Sequence, residues 1–313
     1  MRTGVCAKYG NEAREGSGET RPRTGRASED RTAPAVRRTT TPGAAAAASR
    51  TPAGGCVTDR REPLPTRVNG LPALPPSYGR TLTAGLAALE IHLEPGQRAA
   101  IDRHVRLLLA WNRAINLTAI RDAESIAREH VLDSLTAGQL LRQRGVKGLL
   151  DLGSGGGFPG LPLAVSLNLE RTLLVESVGK KARFLDAAAG VVGLGDRLSV
   201  ANSRVEALAS RAEGREAWPL VTARAVASLG ELVELAFPLL SVGGALLAWK
   251  RAPVEPEVAR AREAIQAVGG GAVRISPVAV DGLRDHVLVV VEKIARTPSG
   301  FPRDAAERRR HPL

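Results

Sequence analysis

The sequence predicts an α/β fold in which helices cover a mostly parallel, seven-stranded sheet. Three observations support this prediction. Apolar, strand-like runs alternate with helical patterns between residues 146 and 294, which is typical of a doubly wound sheet. The first run leads into a glycine-rich turn and then a helix, as in nucleotide-binding α/β units. The last two runs have no clear helix between them, which predicts an antiparallel hairpin at one sheet edge.

Composition places most of the positive charge outside the predicted sheet. The chain has 313 residues and a formal net charge of +12. Residues 1–80 contain 14 Lys and Arg against 7 Asp and Glu, whereas residues 81–293 contain 25 against 23. The predicted folded part is therefore nearly neutral, and the high overall pI says little about what it binds. Both cysteines, Cys6 and Cys56, precede it, so we expect no disulfide and no thiol nucleophile there.

The first eighty residues look different from the rest of the chain. They are rich in Arg, Thr, Ala, Gly and Pro and show no hydrophobic period, so we expect residues 1–80 to form a disordered basic extension. It could be an RNA-contacting arm, a dispensable tail or the result of a misassigned translation start. Residues 1–50 lack the apolar core of a signal peptide, and no apolar run approaches the roughly 20 residues that span a membrane. We therefore expect a cytoplasmic protein without a membrane segment.

Residues 81–145 predict a helical cap that precedes the first strand. Apolar residues recur at helical spacing from Ile101 to Trp111, and a second helix is predicted near residues 124–142. After the glycine-rich turn, the predicted order is helix 161–167, strand 172–176, helix 180–192, strand 198–201, a short helix from 205, strand 220–224, helix 229–240, strand 245–249, helix 255–268, and strands 273–278 and 286–292. The sheet domain thus spans residues 146–294, and we expect residues 295–313 to form a flexible tail.

The glycine-rich turn matches two nucleotide-binding patterns. Gly155, Gly157 and Gly160 fit G-x-G-x-x-G, the dinucleotide fingerprint. Asp151 and Gly153, together with two of those glycines, fit D-x-G-x-G-x-G, which resembles the first motif of class I S-adenosylmethionine-dependent methyltransferases. A purely structural turn without a ligand is the third possibility. The D-x-G-x-G-x-G pattern, which begins with an acidic residue, favours adenosylmethionine over NAD.

Glu176 lies about twenty residues beyond the glycines, at the end of the second predicted strand. A carboxylate at this position can accept hydrogen bonds from both ribose hydroxyls of either NAD or adenosylmethionine. Glu176 therefore predicts a nucleotide ligand without choosing between the two. Seven strands with a terminal hairpin describe the class I methyltransferase sheet better than a six-stranded dinucleotide-binding domain, which again favours adenosylmethionine.

Several stretches in combination resemble one family, the ribosomal small-subunit RNA methyltransferase G family, also called glucose-inhibited division protein B. They are W-N-R-A-I-N-L-T at 111–118, H-V-L-D-S at 130–134, D-L-G-S-G-G-G-F-P-G-L-P-L at 151–163, E-S-V-G-K-K-A-R-F-L at 176–185, S-R-V-E at 203–206 and A-R-A-V-A-S at 223–228. The resemblance covers about residues 81–294. Two positions depart from it: Glu129 stands where a basic residue is common, and Arg251 where glycine is usual.

The resemblance implies a Rossmann-like class I methyltransferase fold, adenosylmethionine as cofactor, and methylation of a guanine N7 in the decoding-region loop of 16S, small-subunit ribosomal RNA. Guanine N7 carries a lone pair and no proton, so its methylation needs positioning rather than a general base. The Asn/Asp-Pro-Pro-aromatic motif of N6-adenine enzymes is absent from the predicted folded part, as is the cysteine of C5-cytosine enzymes. Both absences agree with N7 chemistry.

The family pattern also implies roles for individual residues at the cofactor. The candidate cofactor contacts are Asp151, Gly153, Gly155, Phe158, Glu176, Val205, Glu206 and Arg224. Val205 and Glu206 match the family's adenine-contacting pair, which acts through its backbone. Arg224, at the end of the fourth predicted strand, is the candidate catalytic residue, with a positioning role. The alternative is that Arg224 only pairs with Asp151 or Glu176.

The sequence gives fewer indications of which residues contact the RNA substrate. The candidate RNA contacts are Lys180, Lys181, Arg183, Asn116 and Lys250. The first three open a helix beside the predicted cleft, where they either neutralise phosphates or form an ordinary solvated face. Aromatic residues make up only 3% of the chain. Trp249 is therefore the best candidate for base stacking, whereas Trp111 is expected in the core.

His130 and Asp133, three residues apart on one helical face, could form part of a metal site or a base with its orienting partner. With no third ligand nearby, we expect a packed, hydrogen-bonded histidine and no metal ion. The expected partner is small-subunit ribosomal RNA or a ribosomal particle, bound by a monomer. Two rival functions stay open: an NAD-dependent oxidoreductase, and a non-enzymatic ribosome-binding factor that keeps a relict cofactor fold.

Overall fold

The computed structural model describes residues 63–313 except residues 213 and 279, so the predictions for residues 1–62, including both cysteines, lie outside the described residues. The helices are α1 (Pro76–Ala88), α2 (Pro95–Asn112), α3 (Ala123–Ile126), α4 (Asp133–Leu135), α5 (Gly138–Gln143), α6 (Gly160–Ser166), α7 (Gly179–Val192), α8 (Val205–Ala209), α9 (Leu229–Ala236), α10 (Glu255–Arg260), α11 (Arg262–Ala267) and α12 (Ala305–Arg310). A π-helical segment, Ala127–Leu132, joins α3 to α4, and a 3₁₀ turn, Gly195–Arg197, follows α7. None of these helices combines the length and apolar composition needed to cross a membrane.

The strands form one seven-stranded sheet, which confirms the predicted fold class. They are β1 (Gly148–Leu152), β2 (Arg171–Val175), β3 (Leu198–Ala201), β4 (Trp218–Arg224), β5 (Leu240–Arg251), β6 (Gly270–Pro277) and β7 (His286–Lys293). Their order is β3-β2-β1-β4-β5-β7-β6, with β7 antiparallel to both β5 and β6. The predicted terminal hairpin is therefore present. Because the strand order reverses between β1 and β4, the carboxyl ends of these strands frame a crevice, where open α/β sheets bind ligands.

Several elements differ from their predicted bounds, among them β5 and the helix before β6. Strand β5 begins at Leu240 rather than at residue 245, because Leu240 pairs with Trp218 across a register shift in β4. The helix predicted over residues 255–268 is divided into α10 and α11 at Ala261, where ψ is −1° and the regular helical turn is interrupted. Neither difference moves the carboxyl ends of the central strands.

Hydrophobic side chains form one buried cluster on each face of the sheet. On one face, Leu108 of α2 and Leu135 of α4 belong to the same cluster as Leu161 of α6 and Phe184 of α7. The cap therefore shares a core with the sheet domain rather than forming a separate unit. On the other face, α9, α10 and α11 cover the strands, with Phe237 fully buried among them. The cap is thus held rigidly beside the glycine-rich turn.

Ordered structure begins earlier than predicted, so the expected disorder up to residue 80 is wrong for residues 63–80. Helix α1 starts at Pro76, and the buried Tyr78 donates a 2.9 Å hydrogen bond from its hydroxyl to Asp102. The indole N–H of Trp111, which is in the core as expected, donates to the Pro65 carbonyl at 2.7 Å. The Arg106 guanidinium donates to three backbone carbonyls of this segment, those of Val68, Leu71 and Pro72. Side chains of α2 thus satisfy backbone groups of a segment without local periodicity.

The C-terminal residues are also ordered, contrary to the prediction of a flexible tail. Arg303 binds Glu234 of α9 through two guanidinium nitrogens, with the Nη2 to Oε2 distance at 2.7 Å. Asp304 caps α12 by accepting hydrogen bonds from the backbone N–H groups of two residues in its first turn. Arg308 is buried and forms an ion pair with Glu206. The tail therefore packs against the sheet domain through paired charges.

We expect Arg303→Ala to lower the free energy of unfolding by about 3 kcal/mol, because it leaves the buried Glu234 carboxylate without its cation. Chemical denaturation would measure the change. Arg309→Ala, on the exposed side of α12, is the control and should alter stability by less than about 0.5 kcal/mol. Equal unfolding free energies for wild type and Arg303→Ala would show that the tail adds no stability.

Candidate active site

A cavity of about 600 Å³ lies at the carboxyl ends of β1, β4 and β5, within the usual range of small-molecule sites. The glycine-rich turn forms one wall, and the cap, including the π-helical segment, forms another. The predicted site residues that line it are Gly153, Gly155, Phe158, Lys181, Arg224 and Lys250. The predicted site residues that do not line it are Asn116, Asp151, Glu176, Lys180, Arg183, Val205 and Glu206. The residues predicted from the sequence thus lie partly on the wall of this cavity and partly outside it.

The glycine-rich turn needs residues without side chains. Gly153 has φ of +70°, and a Cβ there would come within 2.9 Å of a Val226 methyl group. Gly157 has φ of +86°, and a Cβ there would lie 2.5 Å from Leu161. Positive φ is strained for residues with a Cβ. These glycines therefore let the backbone make the turn without a clash, and Gly153 borders the cavity directly.

Asp151 has an internal role rather than the predicted direct contact with the cofactor. It is fully buried at the end of β1. Its carboxylate accepts hydrogen bonds from the Thr222 hydroxyl at 2.8 Å and from the Gly160 backbone N–H at 3.2 Å. Burial raises the pKa of this carboxyl to about 6, although both hydrogen bonds act in the opposite direction. Asp151 therefore links the start of α6 to β4 and holds the glycine-rich turn in place through these hydrogen bonds.

Glu176 lies directly beneath the turn, just after β2. It is almost fully buried, and its carboxylate accepts hydrogen bonds from the backbone N–H groups of Gly155 at 3.1 Å and Val178 at 2.8 Å. Asn202 holds the Glu176 backbone by donating to its carbonyl at 2.9 Å. A carboxylate has about four acceptor positions, so Glu176 keeps capacity for further donors. It is fixed at the edge of the turn with acceptor positions to spare.

Phe158 is the middle ring of a three-ring stack that joins the turn to the cap. Its centroid lies 4.7 Å from that of His104 in α2 and 4.9 Å from that of His130 in the π-helical segment. His104 donates from Nε2 to the Gly156 carbonyl at 2.8 Å, because a carbonyl can only accept. Burial lowers the pKa of His104 to about 4 and keeps the ring neutral. A lone histidine in a helix gave no sequence signal for this role.

His130 is a packed, hydrogen-bonded histidine, as predicted. Its Nδ1 lies 3.0 Å from the Glu129 carbonyl, which needs a donor, and 3.2 Å from Arg224 Nη2, which needs an acceptor, so one nitrogen can satisfy only one of these two partners. Its Nε2 shares a 2.7 Å hydrogen bond with the Thr118 hydroxyl, so both ring nitrogens have partners. Burial, followed by the nearby Arg224 charge, lowers the pKa of His130 to about 4. Within the described residues, no group of three or more His, Cys, Asp or Glu could hold a metal ion.

Arg224 pairs with Asp133 and not with Asp151 or Glu176, the partners considered from the sequence. Its Nη1 donates to Asp133 Oδ2 at 3.0 Å and to the Glu129 carbonyl at 2.9 Å. The guanidinium carbon also lies 5.4 Å from the Phe158 ring centroid, within the range of a cation–π interaction. Arg224 is therefore held against the cap at the edge of the cavity.

Trp249 does not provide the open stacking surface that the sequence suggested. The residue is only 5% exposed, and its indole N–H donates to the Asp133 backbone carbonyl at 2.8 Å. Trp249 contributes to the cavity wall, but most of its surface is packed inside the protein. It anchors the start of α4 to β5.

The basic residues predicted to bind RNA fall into two groups. Lys181 lines the main cavity, whereas Lys180 and Arg183 line a second cavity of about 640 Å³ between α7 and the cap. Lys250 lies in the main cavity wall, where its ammonium group donates to the Ala227 carbonyl at 2.7 Å and to Glu257 at 2.8 Å. Asn116 is exposed and lies outside both cavities. The structure thus brings Lys181 and Lys250 to the site.

Val205 and Glu206 open α8, shortly after β3. Val205 is buried, and the Glu206 carboxylate forms an ion pair with Arg308 of α12. Because both side chains are engaged, the backbone of Val205 and Glu206 is the part that can contact a ligand at the carboxyl end of β3. The C-terminal tail, which sequence analysis treated as flexible, therefore supports this candidate contact.

The two neutral histidines should make the protein sensitive to acid. His130 has an ordinary pKa of 6.5 and a folded-state pKa of about 4, so the unfolded chain binds more protons between these values. Stability should therefore fall as the pH decreases from about 6.5 to about 4. Asp151 acts in the opposite direction, because its raised pKa stabilises the folded state at low pH, and this contribution disappears as the pH rises through about 6.

We expect His130→Gln to reduce the loss of stability over this pH range by up to about 1.4 kcal/mol per pH unit, because the variant has no proton to bind there. Urea denaturation at a series of pH values would measure the slope. His92→Gln, which replaces an exposed histidine, should keep the wild-type slope. A His130→Gln slope equal to that of the wild type would contradict the assignment of a buried neutral ring.

Comparisons with known proteins identify the family of this chain. A family model described as rRNA small subunit methyltransferase G matches residues 97–283. The ribosomal RNA small subunit methyltransferases G of Roseiflexus sp. (strain RS-1) and Chloroflexus aggregans (strain MD-66 / DSM 9485) are each 42% identical, over 71% and 75% of this chain and 94% and 98% of their own. An O-methyltransferase from Bacillus cereus, solved in complex with SAH, is 16% identical with a TM-score of 0.47, covering 69% of this chain and 100% of its own. By the family model and these relatives, the chain belongs to the rRNA small subunit methyltransferase G family.

Proposed function

We propose that this protein transfers the methyl group of S-adenosylmethionine to N7 of a guanine in the decoding-region loop of small-subunit ribosomal RNA. The family membership supports the substrate class, since the relatives are named as ribosomal RNA methyltransferases. The observation that supports the chemistry is the state of His130, a cavity-lining histidine whose two ring nitrogens are both occupied. In either tautomer its one lone pair accepts from a protein donor, the Arg224 guanidinium or the Thr118 hydroxyl, and is not free to act as a general base; guanine N7 has no proton to remove.

The residues at the cavity and beside it fit adenosylmethionine. The glycine-rich turn brings its backbone to the cavity wall, and the spare acceptor positions of Glu176 suit the two ribose hydroxyls. Gly153, Gly155, Phe158 and Arg224 would border the methionine portion, and the Val205–Glu206 backbone would meet the adenine. When bound, the cofactor supplies an electrophilic methyl group on a sulfonium. The protein's part is to orient it, since binding and alignment account for the catalysis of such a transfer.

Arg224 is the residue we assign to positioning at the reacting end. It lies at the end of β4 beside Phe158, with its guanidinium held by Asp133 and by the Glu129 carbonyl of the cap. Because the guanidinium is fixed before any ligand binds, little conformational freedom is lost on binding. Arg224 takes no part in proton transfer in this proposal.

The RNA would approach along the basic residues of α7. Lys181 faces the main cavity, and the exposed Lys180 and Arg183 face the second one, so the first turn of α7 presents cations to both. Each could neutralise one phosphate and add to the salt dependence of binding. Lys250 and Asn116 would contact the RNA near the target nucleotide. We propose that the protein acts as a monomer in the cytoplasm, on ribosomal RNA or on a ribosomal particle.

A methyl-transfer assay tests the proposed function directly. Purified protein and labelled adenosylmethionine are offered small ribosomal subunits, and separately their extracted RNA, from cells that lack this enzyme. We expect label to appear as 7-methylguanosine in at least one of the two acceptors. If the cofactor binds but neither acceptor is labelled, the fold assignment stands and the proposed acceptor is wrong. Label on another base would show that the N7 assignment is wrong.

Substitution of Glu176 tests the cofactor contact. Glu176→Ala should weaken adenosylmethionine binding by roughly 1–3 kcal/mol, because the hydrogen bonds that its charged oxygens accept are lost. Calorimetry of the purified variant would measure this change. Glu170→Ala, which removes an exposed carboxylate just before β2, is the control and should bind like the wild type. An unchanged affinity for Glu176→Ala would remove this residue from the site.

A further inference from the structure

Asp133 is the point at which the cap meets three strands of the sheet beside the cavity. One carboxylate oxygen accepts from Arg224 of β4 at 3.0 Å, and the other from His286 Nδ1 of β7 at 2.9 Å. Its backbone carbonyl accepts from Trp249 of β5 at 2.8 Å. Arg224, Trp249 and His286 all line the cavity. Asp133 therefore controls three cavity side chains from one buried position.

We propose that Asp133 is a positioning residue that orients Arg224 and neutralises its charge for cofactor binding. This inference rests on the proposed function, in which Arg224 contacts the cofactor. Asp133 also borders the cavity, but it is only 1% exposed and both of its carboxylate oxygens already accept hydrogen bonds, so in this proposal it acts through Arg224 and not through direct contact with a ligand.

The hydrogen bonds of Arg224 support the orientation part of the proposal. A guanidinium has five N–H donors, and in the described part of the chain Nη1 of Arg224 donates to two acceptors of the cap, Asp133 and the Glu129 carbonyl, while its Nη2 lies 3.2 Å from His130 Nδ1. The remaining N–H groups stay available to a ligand. Because these three groups lie within five residues of each other along the cap, they fix the guanidinium plane as a unit. Only the Asp133 acceptor is charged, and a hydrogen bond between charged groups is the strongest of the three.

Electrostatics support the charge part. Adenosylmethionine carries a positive sulfonium, and an unneutralised guanidinium in the same cavity would oppose its binding. The Arg224 side chain is 17% exposed, so water screens its charge only in part. Asp133 neutralises this charge at 3.0 Å. The Arg224 side chain, with its several N–H donors, can therefore lie next to the sulfonium.

His286 fixes the carboxylate in turn. Its Nδ1 lies 2.9 Å from the Asp133 oxygen that does not face Arg224, so Nδ1–H donates to this oxygen. The Asp133 carboxylate is thereby held from both sides and cannot rotate away from Arg224. The strand pairing of β5 with β7 places His286 opposite Arg251, at the cavity end of the sheet. The hairpin strand β7 thus contributes to the site through Asp133.

The test compares Asp133→Asn, Arg224→Met and the double variant by adenosylmethionine calorimetry. Asp133→Asn keeps the size of the side chain and removes its charge. We expect about a tenfold or larger increase in Kd for each single variant, as for the loss of a charged hydrogen bond. The double variant should bind no more weakly than Arg224→Met alone, because Asp133 acts through Arg224. In methyl transfer, Asp133→Asn should raise KM for adenosylmethionine and leave KM for the RNA unchanged.

The matched control is Glu292→Gln. Glu292 of β7 also binds an arginine of the cap, Arg144, at 2.8 and 2.7 Å, but at the opposite end of the sheet. This variant should lower the melting temperature without changing the Kd for adenosylmethionine. If Asp133→Asn fails to fold, His286→Gln provides a second test, with an expected increase in Kd that is smaller than that of Arg224→Met.

Three results would overturn the inference: a wild-type Kd for Asp133→Asn, effects of the two single variants that multiply in the double variant, or a wild-type Kd for His286→Gln where Asp133→Asn does not fold. A wild-type protein that does not bind adenosylmethionine at all would instead contradict the proposed function. The two failures are therefore distinguishable before any variant is compared.

Discussion

The buried carboxylate of Asp151 is the constraint on which the geometry of the cavity depends. It stands at the end of β1 and accepts hydrogen bonds from β4 through Thr222 and from the start of α6 through Gly160. A Cβ on Gly160 would lie 2.8 Å from this carboxylate, so glycine is required there. Because the residues on both sides of the turn are fixed in this way, the backbone between them has little freedom in how it borders the crevice.

The cap contributes side chains that the cavity needs in addition to those of the sheet domain. Phe158 of the turn is packed between two cap histidines, His104 and His130, and both rings are kept neutral by burial. Arg224 at the end of β4 is held by the cap as well, through Asp133. The cavity therefore does not exist in the sheet domain alone. Loss of cap packing would dismantle the site even with every glycine in place.

Local patterns predicted the seven strands, the terminal hairpin and the position of the turn, because periodicity and glycine spacing are local properties of a chain. What they missed depends on contacts between distant residues. Trp111 holds Pro65 from 46 positions away, and Arg303 reaches Glu234 across 69. No local sequence pattern indicates such pairs. At the site, the same limit applies to Arg224: its place at a strand end was predictable, whereas its partner Asp133, 91 positions away, was not.

The charges around the cavity are balanced in a way that suits a cationic cofactor and an anionic substrate. Four lysines and arginines of the described residues line it, and three of them form ion pairs: Arg224 with Asp133, Lys250 with Glu257 and Arg251 with Asp285. Among these four, Lys181 alone has no carboxylate within ion-pair distance in the described part of the chain. The paired cations add little repulsion toward a sulfonium. Lys181, at the start of α7, keeps its full charge for a phosphate, so the two ligands of opposite charge can share one cavity.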